Sequence, residues 1–184
     1  MEAFFVSFGL VALAEIGDKT QLLALVLASR FRRPLPILAG IFAATLLNHL
    51  AAGALGAFLG VTLDYPWMRW VIAASFFAIA LWALVPETED VDAPPPRYGI
   101  FAATTCAFFL AEMGDRTQIA TVALAARFAA WLPVVAGTTL GLIAANLPVV
   151  LLGRQALRLV PTRAVRWGAG ALSAALGLAV LLRP

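Results

Sequence analysis

The chain has 184 residues, of which 62% are hydrophobic and only 12% charged, with a mean hydropathy of +0.94. Soluble domains are about 45–50% apolar, so composition excludes an ordinary water-soluble domain and makes lipid the solvent for most of the surface. The net charge is +3, but the basic residues are scattered between apolar runs, which excludes a nucleic-acid-binding stripe. The single cysteine, Cys106, excludes an intrachain disulfide and fits no Cys/His metal spacing.

A helix needs about 20 mostly apolar residues to cross a hydrocarbon core of roughly 30 Å. The first such stretch, residues 4–28, lacks a basic leader and a cleavage site, so it is expected to be retained. It carries Glu15-Ile16-Gly17-Asp18-Lys19-Thr20 and ends at Arg30, Arg32, Arg33 and Pro34. A second span at 35–60 contains Asn48 and His49; Asp64 to Pro66 then separates it from a third at 67–85. Residues 86–97 combine four acids with four prolines and read as a solvated, extended linker. A fourth span at 98–126 carries Glu112-Met113-Gly114-Asp115-Arg116-Thr117 and ends at Arg127. The fifth, at 132–152, contains Asn146 and Pro148, and a basic joint around Pro161 leads to the sixth at 164–182. The pattern predicts an all-α membrane protein with six transmembrane helices, divided into residues 1–86, a linker at 87–97, and residues 98–184. Its five tryptophans mostly fall near span ends, as in an interfacial belt.

The two halves repeat. Shifted by 97 residues, positions 14–40 match positions 111–137 at 14 of 27 places, including both motifs, the glutamines Gln21 and Gln118, and the pair Arg30/Arg127. Three spans per half is an odd number, so the second copy enters the membrane from the opposite side, giving an inverted-topology repeat. An N-terminus outside places eight loop arginines in the cytoplasm (Arg30, Arg32, Arg33, Arg97, Arg154, Arg158, Arg163, Arg166) against three outside (Arg69, Arg127, Arg183). The positive-inside rule therefore predicts both termini outside.

The motifs carry the chemistry. Unpaired, the six charges Glu15, Asp18, Lys19, Glu112, Asp115 and Arg116 would cost on the order of 15–20 kcal/mol at membrane depth. They must pair, hydrate or bind ions. On a continuous helix Asp18 would lie about 60° to one side of Glu15 and Lys19 about 40° to the other, a single polar stripe. Gly17 and Gly114 would allow close helix approach or a local break. Four carboxylates, the carbonyls of Gln21 and Gln118 and the hydroxyls of Thr20 and Thr117 are hard oxygen donors, suited to calcium or manganese as a transported ion with no resident cofactor. Met113 reads as packing. His49 offers a proton relay or an interhelical hydrogen bond. The motif charges alternatively form an interhelical salt-bridge clamp, Glu15 and Asp18 against Arg116 and Glu112 and Asp115 against Lys19. Four carboxylates against two bases leave −2, which one divalent cation or two protons would neutralise.

The doubled Glu-x-Gly-Asp-Lys/Arg-Thr, each followed by Gln and an apolar helix, resembles the Golgi manganese and calcium transporter family and its bacterial manganese exporters, within the lysine-exporter superfamily. That resemblance covers nearly the whole chain. It implies a cation/proton antiporter, not an enzyme, in which Glu15, Asp18, Glu112 and Asp115 bind the cation. The chain resembles the compact bacterial form, without an N-terminal targeting extension, which implies the plasma membrane. Two other readings are an exporter of a small organic cation or amino acid and an intramembrane metalloenzyme, although the sequence shows no nucleophile beside a base.

Overall fold

The computed structural model describes residues 1–62, 67–85, 99–128, 130–153, 155–156 and 162–182. The expected linker at 87–97, the joint at 64–66, and Arg97, Arg154, Arg158, Pro161 and Arg183 lie outside the described residues. The principal helices are α1 (Glu2–Glu15), α2 (Lys19–Phe31), α3 (Pro34–Thr62), α4 (Met68–Ala83), α5 (Ile100–Glu112), α6 (Arg116–Phe128), α7 (Trp131–Leu152) and α8 (Thr162–Leu182). Their ends follow local chemistry. Pro34 opens α3, where its missing N–H costs nothing and its fixed φ suits a first helical residue. Arg32 closes α2 in the left-handed conformation (φ 52°), its N–H donating to the Ala28 carbonyl at 3.0 Å. Gly153 closes α7 at positive φ but with a different ψ (61°, −139°), its N–H donating to the Val149 carbonyl at 2.9 Å.

Two predicted spans are corrected. The first and fourth are not continuous helices: each is a pair of half-helices, α1 with α2 and α5 with α6, broken inside the motif. Thirteen or fourteen residues make a half-helix about 20 Å long, short of the roughly 30 Å hydrocarbon core. By contrast, α3, α7 and α8 are each long and apolar enough to cross alone. Pro148 sits inside α7 without ending it.

Packing interleaves the halves. Helix α1 lies along α7, while α5 lies along α3, and α3 meets α7 directly; α4 pairs with α8. The first contact is so close that a Cβ on Gly137 would come within 2.4 Å of the Phe4 carbonyl oxygen and 3.0 Å of the Ser7 Cβ. Its counterpart 97 residues earlier, Gly40, would meet Thr104, the counterpart of Ser7, at 2.7 Å. Small residues thus set the helix spacing at equivalent places in both halves. One apolar core draws Val11 and Leu23 from the first broken segment, Ile41 from α3, Phe108 from α5 and Leu142 from α7. The outer surface is itself apolar, with Phe58, Leu81, Leu110, Leu151 and Leu178 all exposed, far beyond the patches a soluble monomer shows.

Gly137→Leu is expected to lower the stability of purified protein by about 1–3 kcal/mol, the cost of overpacking, measured as thermal unfolding in detergent. Gly9→Ala, inside α1 with nothing within 4 Å of the new Cβ, is expected not to lower the transition, and to raise stability by at most about 1 kcal/mol of helix propensity.

Candidate cation site

The motif builds a turn before it builds a site. Ile16 is extended (φ −69°, ψ 118°), Gly17 has φ 82°, and the Asp18 N–H donates to the Glu15 carbonyl at 3.2 Å. The second copy repeats this at Met113 (−66°, 116°), Gly114 (79°) and Asp115 to Glu112 (3.1 Å). Both are type II turns, which require a positive φ at the third residue and hence glycine. Each following aspartate begins the next half-helix: Asp18 Oδ1 accepts from the Lys19 N–H at 2.6 Å, and Asp115 Oδ2 accepts from the Thr117 N–H and hydroxyl at 3.3 and 3.2 Å. The glutamines lock the turns. Gln21 Oε1 accepts from the Gly17 N–H at 2.9 Å and Gln118 Oε1 from the Gly114 N–H at 2.7 Å.

Because the backbone breaks between glutamate and aspartate, the helical stripe drawn from residue spacing does not exist. Each glutamate ends one half-helix, and each aspartate starts the next at the positive end of its dipole. The Gln21 and Gln118 carbonyl oxygens are engaged by their own turns, and the Gln21 amide also donates to the Ala145 carbonyl in α7 at 2.8 Å. Gly114→Ala isolates the cost of the turn, since nothing lies within 4 Å of the added Cβ. It is expected to destabilise by about 1–2 kcal/mol, the penalty for left-handed backbone, with Gly114→Asn costing less; denaturation in detergent measures both.

The breaks bring the two motifs together. Glu15, Asp18 and Asp115 each place a carboxylate oxygen within 4.8 Å of the others, and all three are buried. Two oxygens on one calcium-sized cation, each about 2.3–2.6 Å from it, lie at most about 5 Å apart, so this spacing fits a shared ion. The bases cross over: Arg116 of the second motif reaches Asp18 at 2.7 Å, and Lys19 of the first reaches Asp115 at 3.7 Å. Arg116 is buried with Asp18, whereas the Lys19 side chain is 17% exposed. The aspartate half of the salt-bridge clamp is therefore present, and it offsets repulsion among crowded carboxylates.

The glutamates differ. Glu15 Oε1 accepts the Thr20 hydroxyl within its own motif. Glu112 stands outside the three-carboxylate group and accepts the Thr45 hydroxyl from α3 at 3.0 Å. The Oε2 atom of each glutamate is buried without a hydrogen-bond partner among the described residues. Thr45 was not a sequence-predicted site residue. Its counterpart in the second half is Leu142, so the repeat gave no signal for it, although it lies one turn from His49 on the same face of α3. Nearby, Asn48 donates to the Phe109 carbonyl at 3.1 Å. The His49 ring is buried, and its Nδ1 lies 3.4 Å from the Thr139 hydroxyl of α7, an interhelical contact with no bond to a motif carboxylate among those described. Met113 is exposed, so it neither packs in the core nor joins the oxygen donors.

A paired acidic motif, broken at glycine and buried between helices, is the arrangement expected of an ion carrier. The family model for the divalent cation/proton antiporter GDT1 matches residues 3–91 and 100–184. The chain belongs to the GDT1 family. GDT1 proteins are transporters of divalent cations and protons, not enzymes, and this one is a multi-pass membrane protein. It is 47% identical over 169 residues to a Vibrio cholerae protein named "Putative manganese exporter", covering 90% of this chain and 84% of that one. It is 32% identical to the GDT1-like protein sll0615 of Synechocystis over 77% of this chain and 78% of that protein. It is also 26% identical to GDT1-like protein 5 of Arabidopsis thaliana over its whole length and 97% of the relative. No solved structure matches the chain.

Proposed function

We propose that this GDT1 protein exports manganese, calcium or both from the cytoplasm in exchange for protons, binding the ion at Glu15, Asp18 and Asp115 with Glu112 beside them. The observation that carries the reading is the buried three-carboxylate group assembled from both motif copies. Its donors are hard oxygens, and the thioether and thiol of Met113 and Cys106 are exposed, which favours calcium and manganese over softer metals. Magnesium, which dehydrates reluctantly, fits a buried carboxylate group less well. The manganese named for the Vibrio relative supports the same ion here.

The transport cycle follows from charge. Four carboxylates against two bases leave −2, and one divalent cation makes the loaded site neutral. An emptied site crossing the membrane at −2 is disfavoured, so two protons on the carboxylates replace the ion, and exchange is electroneutral. The frame is six spans in two inverted three-helix repeats, residues 1–86 and 98–184 joined by the linker at 87–97, each with a broken first span. The reciprocal packing of α1 on α7 and α5 on α3 and the two stretches matched by the family model support it. Alternating access is then a rocking of one repeat against the other around a fixed site. Arg32 and Arg33 turn the corner after α2, whereas the equivalent corner after α6 carries Ala129 and Ala130. That charge bias supports both termini outside and the first corner in the cytoplasm of a bacterial-type plasma membrane.

Proteoliposomes loaded with radioactive manganese test ion identity. Excess calcium outside is expected to compete and magnesium to compete weakly, while lysine and other organic cations leave flux unchanged. Competition by an organic cation, with none by calcium, would assign the site to the organic substrate instead.

A further inference from the structure

We propose that the outer groove between α4 and α8 is a binding site for an anionic phospholipid. Two cavities adjoin there and share Leu84 and Trp167: one of about 370 Å³ holds Arg163 and Arg166, and one of about 380 Å³ is walled by apolar side chains including Phe77, Leu81 and Ala174. Helical spacing makes them one trough. On α8, residues 163, 166 and 167 share a face with 170, 171 and 174, so the arginines stand directly above the apolar floor. Leu84 at the C-terminal cap of α4, then Leu81 and Phe77 within it, descend along the opposite wall. The seam beneath is closed, since a Cβ on Gly170 would come within 3.2 Å of the Ala80 carbonyl oxygen.

The polar end takes a phosphodiester and the apolar end an acyl chain. Guanidinium groups bind phosphate oxygens through paired N–H donors, and neither Arg163 nor Arg166 forms an ion pair among the described residues. Trp167 is 60% exposed at the junction, where an indole ring favours the headgroup level. Basic pockets between transmembrane helices are known acidic-lipid sites. Charge argues against a second copy of the chain as occupant. In a two-fold dimer the same patch faces itself, setting arginines against arginines in a chain whose net charge is already +3.

Native mass spectrometry of purified protein, delipidated and then titrated with phosphatidylglycerol or phosphatidylcholine, tests the assignment. Phosphatidylglycerol is expected to be retained at least about tenfold more strongly. Arg163→Gln with Arg166→Gln should remove that preference, Arg163→Lys with Arg166→Lys should keep part of it, and Ala171→Leu with Ala174→Leu, filling the trough, should weaken both lipids. Equal retention of the two lipids by the native chain would overturn the proposal, as would an unchanged preference in the double glutamine variant. Displacement by millimolar inorganic phosphate would show an anion site without an acyl component. Loss of a dimer on filling the trough, with lipid retention unchanged, would make the groove a protein interface.

Discussion

Glu15→Gln is expected to reduce metal exchange by reconstituted protein by about 100-fold or more, beyond the roughly 10–100-fold typical of losing an outer-shell partner, while the chain still folds and inserts. The substitution keeps volume and removes one of the three carboxylates that meet within 4.8 Å. It is the cleanest of the motif changes, because the hydrogen-bond partner it disturbs is the neutral Thr20 hydroxyl. Asp18→Asn and Asp115→Asn should abolish flux equally but also weaken folding, since each removes the acid opposite a motif base. Glu112→Gln behaves differently. Its carboxylate stands apart on Thr45, so metal affinity should fall by less than about tenfold. Three carboxylates against two bases then leave −1, and a divalent ion loads the site to +1. Exchange by that variant becomes dependent on membrane potential. Binding titrations with manganese, beside flux at clamped potentials, separate the outcomes. If Glu112→Gln abolishes binding as fully as Glu15→Gln, all four carboxylates are equal ligands.

Arg116→Gln should cost about 3–5 kcal/mol of stability, because removing one partner of a buried ion pair strands the other charge. Asp18, 2.7 Å from the guanidinium, is fully buried. Lys19→Gln should cost less than half as much: the ammonium is partly exposed and lies 3.7 Å from Asp115, where solvent screening reduces the value of the pair. The double variant Arg116→Gln with Asp18→Asn should recover stability relative to either single change, and the cycle measures the coupling directly. Recovery of stability without recovery of transport separates the folding role of the pair from the carrier role of the aspartate. Thermal unfolding in detergent at matched protein and detergent concentrations supplies all four values.

Much of this was legible in residue order. Composition and run length announce an all-helical membrane protein, and the 97-residue repeat of polar positions ties the two motifs to equivalent places. The broken spans were legible as well, in a signal weaker than hydropathy. Gly17 followed by Asp18-Lys19-Thr20-Gln21 has the spacing of a helix start, a capping residue with glutamine three positions on. The apolar run on both sides hides it, because hydropathy averages across a three-residue turn. Once the turn forms, the glutamine closes it instead of facing the ion. The crossing of the bases was legible only as one reading, the interhelical clamp, since each motif supplies an acid and a base that could equally pair at home; α1–α7 and α3–α5 packing puts Arg116 on Asp18 and Lys19 on Asp115. Thr45 was invisible for a related reason: the repeat maps it onto Leu142, and only the approach of α5 to α3 gives its hydroxyl a carboxylate.

The most direct test of the central claim is pH recorded by a dye inside proteoliposomes across which a manganese gradient is imposed. Electroneutral exchange at the paired motifs predicts that internal pH moves with each metal flux in the sense of protons travelling the opposite way, two per ion, and that clamping the membrane potential leaves the rate almost unchanged. Manganese flux with no pH change would contradict it.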